Sequence, residues 1–211
     1  MNEANNFLSK GTESLGLSLA QSQLNNLMSF FEEFIRWNKK INLSAVRDLD
    51  DMLSLHGLDS FSVHPWIRGD SIIDVGTGGG LPGIPLSIAF PDKHFCLLDS
   101  NGKKTRFLIH IVNLLRLSNV QVHQHRVETY QPKQPFDVVI CRAFASIDKI
   151  IQQCEHLCGP EGVILAMKGR YPKEEISAIP SDWLVDEVVS LEVPGVTGQR
   201  HLVVLRRKSE G

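Results

Sequence analysis

The chain has 211 residues, with 22 Lys plus Arg against 24 Asp plus Glu, giving a net charge of −2. Hydrophobic residues make up 42% and charged residues 22%; both are near globular averages and exclude a disordered or fibrous chain, while the charge excludes a globally basic nucleic-acid coater. No apolar run approaches a membrane span, and the polar start MNEANNFLSKGTESLG is not expected to act as a secretory signal, so a cytoplasmic protein is expected.

Residues 1–16 are polar, carry Gly11 and Gly16, and read as a frayed lead-in. From Ser18, placed as an N-cap, Leu24, Leu27, Phe31, Phe34 and Ile35 recur at helical spacing as one apolar stripe. Trp37 to Leu43 closes this helix, with Trp37 expected to pack between the helical segment and the sheet. A second helix is predicted from the acidic run Asp48–Asp51 through Met52, Leu55, Leu58 and Asp59, ending near Pro65. His56 and Asp59 are three apart and share a face. Residues 1–65 therefore read as a helical segment and 66–211 as a second domain.

At Ser71 the period changes. Ile72–Gly76, His94–Asp99, Val120–His123, Phe136–Cys141 and Gly162–Met167 read as buried strands. Helices are predicted between them at Gly83–Phe90, Lys103–Leu117 and Ile147–Leu157, the last closed by Gly159 at C′ and Pro160. This alternation implies an α/β fold with parallel strands joined by right-handed crossovers. Leu184–Leu191 and His201–Arg206 have only a turn-rich link between them, so the last strand is expected to be antiparallel. Cys96 and Cys141 lie in predicted strands as small hydrophobes. Cys154 and Cys158 are four apart on a predicted helix, without a C-x-x-C pair, and no metal is expected.

The strongest motif is Asp74-Val75-Gly76-Thr77-Gly78-Gly79-Gly80-Leu81-Pro82-Gly83, which ends a strand and opens a helix. Glycines there let a ligand approach the backbone, and the helix start supplies free N–H groups. Two patterns fit. G-x-G-x-x-G can be laid on Gly78, Gly80 and Gly83, the dinucleotide pattern, although it begins two residues late. [DE]-x-G-x-G-x-G is met by Asp74, Gly76, Gly78 and Gly80, and resembles the S-adenosylmethionine loop of class I methyltransferases. In either class the acid ending the next strand, Asp99, would grip a ribose. The antiparallel end of the sheet favours the second.

Further segments sharpen the resemblance. Trp37–Ser44, His56–Ser60, Asp74–Leu86, Leu98–Lys104, Arg126–Glu128, Arg142–Ala145, Lys168-Gly169 and Arg200–Val203 together resemble the RsmG (GidB) family of bacterial 16S rRNA guanine-N7 methyltransferases. They span residues 24 to 206 in order. One departure is Gly79, where the family often has proline; it is expected to loosen the loop slightly. The resemblance implies a Rossmann-like seven-stranded sheet with its last strand antiparallel and an N-terminal helical extension. It also implies methyl transfer from S-adenosyl-L-methionine to N7 of guanosine 527 in 16S rRNA of the small ribosomal subunit. Carried over by position, Gly76 and Leu81 line the methionine and ribose end of the cofactor, Val127 and Glu128 meet the adenine, and Arg142 sits where the methyl donor faces the substrate.

N7 of guanine has a free lone pair, so the reaction needs orientation and no general base. Arg142 is then a positioning group for phosphate, for O6 of guanine or for the cofactor carboxylate. Among scattered basic residues, Lys103, Lys168, Arg170 and Arg200 are the candidates for RNA contact, Lys168-Gly169-Arg170 first because it comes after the fifth strand at the ligand edge. The run 206–208 reads as a tail. Phe144 could stack on guanine or belong to the core, and His56 and Asp59 could lie near the target base or serve as a helix cap or structural hydrogen bond. A monomer is expected. The competing readings are a nicotinamide-dependent oxidoreductase, a methyltransferase with another acceptor, and a nucleotide- or RNA-binding module without turnover.

Overall fold

The computed structural model describes residues 3–208. Among them, seven strands form one sheet in the order β3-β2-β1-β4-β5-β7-β6. These are β1 (Ser71–Val75), β2 (His94–Asp99), β3 (Val120–Gln124), β4 (Phe136–Arg142), β5 (Cys158–Lys168), β6 (Trp183–Ser190) and β7 (His201–Arg207). The first five pair in parallel, and β7 runs antiparallel to both β5 and β6, as the sequence implied. The chain reaches β3 at one edge and then returns to place β4 beside β1. Loops leaving the carboxyl ends of β1 and β4 diverge there, which opens a crevice.

Strand residues alternate between two apolar clusters. Ile72, Leu97, Val138 and Ile140 face one, and Ile73, Leu98, Val139 and Cys141 face the other. The second cluster lies under α7 (Ile147–Cys154). The first is covered by α5 (Gly83–Ala89), α6 (Gly102–Leu114) and the long α2 (Gln21–Ile41), whose Phe30, Phe31 and Phe34 are fully buried. The N-terminal helices thus share one core with the sheet. Trp37 packs against this shared core, on Phe107 and His110 of α6. No helix among the described residues is long and apolar enough to cross a membrane.

Several expectations change. The polar lead-in is a helix, α1 (Glu3–Ser14). Its Gly11 is buried against Leu58, so closely that a Cβ there would meet Leu58 Cδ1 at 2.5 Å. Close packing outweighs the helix cost of about 1 kcal/mol for glycine. The N-cap of α2 is Ala20, not Ser18, and the Gln23 side chain accepts the Ala20 N–H at 2.8 Å. Strand β5 starts at Cys158, so Gly159 is no helix cap and Cys158 is not on the helix of Cys154. Arg206 and Arg207 belong to β7, not to a tail; Arg206 bonds Asp186 and Arg207 lies over the Trp183 ring.

The second helix is interrupted. It runs as α3 (Leu49–Met52), a π-helical turn (Leu53–Leu58) and α4 (Asp59–Phe61). Asp48 caps its start by accepting the Asp50 N–H at 2.9 Å. Within the turn, the Asp59 N–H reaches the Ser54 carbonyl five residues back. Ser54 and Ser60 hydroxyls donate to main-chain carbonyls of this stretch, competing with the α ladder. Gly57 lets the widened turn sit against Phe31. The α2–α3 link is held by buried Asn38, whose amide donates to the Ser44 and Val46 carbonyls and accepts the Ser44 N–H.

Candidate functional site

The crevice is a cleft with two adjoining hollows, of about 610 and 450 Å³, in the range of small-molecule sites. Gly76, Lys104, Phe144 and Ala145 line both. The floor is the glycine loop. Gly76, Gly78 and Gly80 have φ of 65°, 61° and 85°, left-handed conformations that glycine alone adopts without strain. The Gly76 and Thr77 N–H groups donate to the Leu98 carbonyl, which ties the loop to β2.

Two acids shape this floor. Asp74 is buried, and its Oδ2 accepts both the Thr77 hydroxyl (2.6 Å) and the Gly83 N–H (2.9 Å). Its Oδ1 is buried without a partner. Burial pushes the Asp74 carboxyl up to about 6, against those two hydrogen bonds. Asp99 accepts the Gly78 N–H (2.9 Å) through Oδ2 and the Asn101 N–H (2.8 Å) through Oδ1. It lines the smaller hollow with Val127 and Glu128, which lie on a 3₁₀ turn after β3. Leu81 lines the larger hollow; Gly80 is buried with Ile84 and Leu108 where its side chain would be.

The larger hollow is built from three distant parts of the chain. Arg142 ends β4, Asp59 comes directly after the π-helical turn, and Arg200 precedes β7. The Asp59 carboxylate is 5% exposed and binds both arginines: Oδ2 accepts from Arg142 at 3.1 Å and Oδ1 from Arg200 at 3.0 Å. His56 lies beside them, with Nδ1 3.5 Å from Arg142 Nη1 and Nε2 2.7 Å from the Ser44 hydroxyl. Burial, then the Arg142 charge, holds His56 down at about 4, so the ring is neutral. Two guanidiniums, one carboxylate and a neutral imidazole leave a net positive wall. Ala143, next to Arg142, has φ of 50°, a strained value for alanine. It turns the chain so that Phe144 packs against Gly76, where a Cβ would lie 2.6 Å from the Phe144 ring.

The four cations expected to meet RNA separate. Arg170 is exposed, and Arg200 lines the hollow but is held by Asp59. Lys168 lines it too, although its ammonium donates to the Ala145 carbonyl and to Glu175, both at 2.7 Å. Lys103 is exposed and lines neither hollow; Lys104, one residue on, lines both, 3.8 Å from where a Gly78 Cβ would be. The N-cap Asn101 sets that phase by accepting the Lys103 N–H. Ser44 was not singled out from the sequence as a site residue, Lys104 stood only among the scattered basic residues, and Asp59 was paired with His56 as a possible neighbour of the target base. For Lys104, position relative to the cap was the available signal; the pairing of Asp59 with Arg142 and Arg200 had none, since these partners lie 83 and 141 residues away. Among the described residues no group of three or more His, Cys, Asp or Glu is placed to hold a metal ion. Burial pushes the Cys96 thiol up to about 11 and Cys158 to about 12, so both are inert.

Comparison with known proteins gives the same direction. Solved structures share the fold: a SAM-dependent methyltransferase from Aquifex aeolicus has a TM-score of 0.57 at 20% identity, covering 74% of this chain and 92% of its own. One from Thiobacillus denitrificans, in complex with S-adenosyl-L-homocysteine, has a TM-score of 0.53 at 12% identity over 72% and 90%. Ribosomal RNA small subunit methyltransferase G of Ectopseudomonas mendocina is 50% identical over 95% of this chain and 94% of its own length. That of Escherichia fergusonii is 48% identical over 95% and 97%. The family described as rRNA small subunit methyltransferase G matches residues 23–203, and the chain belongs to that family.

Proposed function

We propose that this protein transfers the methyl group of S-adenosyl-L-methionine to N7 of a guanosine in 16S rRNA, at the position (527) that the resemblance implies. The observation that carries the reading is the chemistry of the larger hollow. It has cations and a neutral histidine, and Asp59, the one carboxylate among its lining residues, is taken by two arginines. Such a wall orients a polar, anionic substrate and has no free carboxylate to act as a base; the His56 ring, held down at about 4, is a weak one. Methylation at a bare lone pair needs none.

The residues present fit the cofactor. Bare glycine Cα atoms floor the cleft, Asp99 and Glu128 edge the smaller hollow, and a buried carboxylate oxygen of Asp74 has no partner. Asp99 would hold ribose hydroxyls, Val127 and Glu128 the adenine, Gly76 and Leu81 the amino-acid end. The cofactor supplies an electrophilic methyl group when bound. Arg142 orients the acceptor base or the cofactor carboxylate, Asp59 fixes Arg142 and Arg200, and Phe144 separates the two hollows. Arg170, Lys168, Lys103 and Lys104 would meet phosphates at the rim.

The test uses methyl-labelled cofactor with small subunits from a strain lacking this activity, beside naked 16S rRNA and no RNA. Label mapped to one N7-methylated guanosine is expected. Absence of label, with cofactor binding confirmed, overturns the acceptor.

A further inference from the structure

The loop after β5 carries a side chain that neither the fold nor the cofactor cleft uses. Tyr171 is 54% exposed, more than Phe7, Ile109 or Leu114, the other exposed large hydrophobics among the described residues. Its ring meets the His201 ring edge-to-face, with centroids 5.6 Å apart and planes at 81°. His201 itself lines the larger hollow, beside Arg200 and Gly169. The His201 Nδ1 is buried without a hydrogen-bond partner, so the ring is set by packing rather than by a polar contact. Nothing lies within 4 Å of the Cβ direction of Gly169, which leaves room between Tyr171 and the hollow. Arg170 is exposed beside it and takes part in no ion pair among the described residues.

These features form a shelf at the mouth of the hollow. An aromatic ring is held by a second ring, more than half of it is exposed, and an exposed cation precedes it in the chain. Alternation of aromatic and basic side chains is what single-stranded nucleic acid requires, because every base has a π-face and every nucleotide a phosphate. A guanosine presented to the hollow must leave its neighbours at the rim, and unstacked bases need a new surface. Resting on the methyltransferase reading above, we infer that Tyr171 is a stacking platform for the base of a nucleotide flanking the target guanosine, with Arg170 on the adjoining phosphate. Tyr171 belongs to substrate binding and touches no reacting atom.

The experiment compares wild type, Tyr171→Ala, Tyr171→Phe and Arg170→Ala in methyl transfer to small ribosomal subunits, with cofactor affinity measured separately. Tyr171→Ala is expected to raise KM for the subunit about 10-fold or more, the lower range for a lost base stack. It should leave kcat within about twofold and cofactor affinity unchanged. Tyr171→Phe keeps the ring and should stay within about twofold of wild type. Plots of log affinity against log salt separate the two contacts: Arg170→Ala should lose about one unit of slope, and Tyr171→Ala none. Tyr171→Ala with unchanged KM, or Tyr171→Phe as damaging as Ala, overturns the inference while wild-type transfer stands. A wild type that methylates no rRNA overturns the underlying reading instead.

Discussion

The glycine loop and the Asp59 node line the same cleft and are built differently. The loop is a continuous stretch, Asp74 to Gly83, whose conformation is set by glycines at positive φ and one buried carboxylate below them. The node joins a helix before the sheet, the end of β4 and the start of β7 through one side chain. The loop is defined by what it lacks, since side chains there would fill the floor. The node is defined by pairing, since each arginine is placed by a carboxylate that the other shares. A local device tolerates change elsewhere in the chain; a distributed one is sensitive at every member.

The largest expected effect breaks the loop. Gly76→Val puts a β-branched side chain at positive φ and into the Phe144 ring. Cofactor affinity should fall about 100-fold or more, read by equilibrium dialysis, with methyl transfer lost in proportion.

Next comes the node. Asp59→Asn removes the charge that holds both guanidiniums and should lower kcat/KM about 30- to 100-fold, comparable with losing a buried ion pair's partner and discounted for partly exposed arginines. Cofactor affinity should move far less than in Gly76→Val. In an Arg200→Ala background the same substitution should cost clearly less, because the members share one carboxylate. Additive losses would mean that Arg142 and Arg200 are placed independently.

A third comparison uses pH. The folded-state value of Asp74, about 6, lies above its ordinary 3.8, so the folded protein binds the extra proton and stability falls as pH rises through that window. The folded-state value of His56, about 4, lies below 6.5, so the unfolded chain binds the extra proton and stability rises with pH there. The two slopes oppose each other, each at most about 1.4 kcal/mol per pH unit. Asp74→Asn keeps an acceptor for Thr77 and Gly83 and should leave stability rising with pH. His56→Gln should leave it falling. Denaturant titrations from pH 4.5 to 6.5 read both signs, and equal slopes in the two variants would refute the assignment.

The smallest effect is Ala143→Gly. It removes the left-handed strain beside Arg142 and should raise stability by up to about 1 kcal/mol in thermal melts, with activity nearly unchanged. A drop in activity without loss of stability would show that the strained turn orients Arg142.

The sheet was legible in the sequence because its signals are local. Apolar runs of five or six residues, the Gly-rich loop and the missing helix before the last strand led to the parallel pairing and the antiparallel last strand. Asp74, Gly76, Gly78, Leu81, Asp99, Val127 and Glu128 were found through motif and resemblance, and the structure gathers them around one cleft or directly under it. What was missed depends on tertiary packing. Helix α1 has only Phe7 and Leu8 as large apolar residues, so its periodicity is weak. The π-helical turn arises from serine hydroxyls competing for carbonyls, which no hydrophobic period records. Lys104 rather than Lys103 faces the cleft through the phase set by Asn101.

The Phe34 ring of α2 bears on the glycine loop from above: a Cβ at Gly79 would come within 2.3 Å of it. Gly79, expected to loosen the loop, is instead the space the ring occupies. Positions 34 and 79 are coupled, because a side chain at 79 and the ring at 34 compete for one volume. A larger residue at 79 alone overlaps the ring, and a smaller one at 34 alone leaves a void. A chimera that joins the helices of one relative to the sheet of another will work or fail on that match before any residue of the cleft is altered.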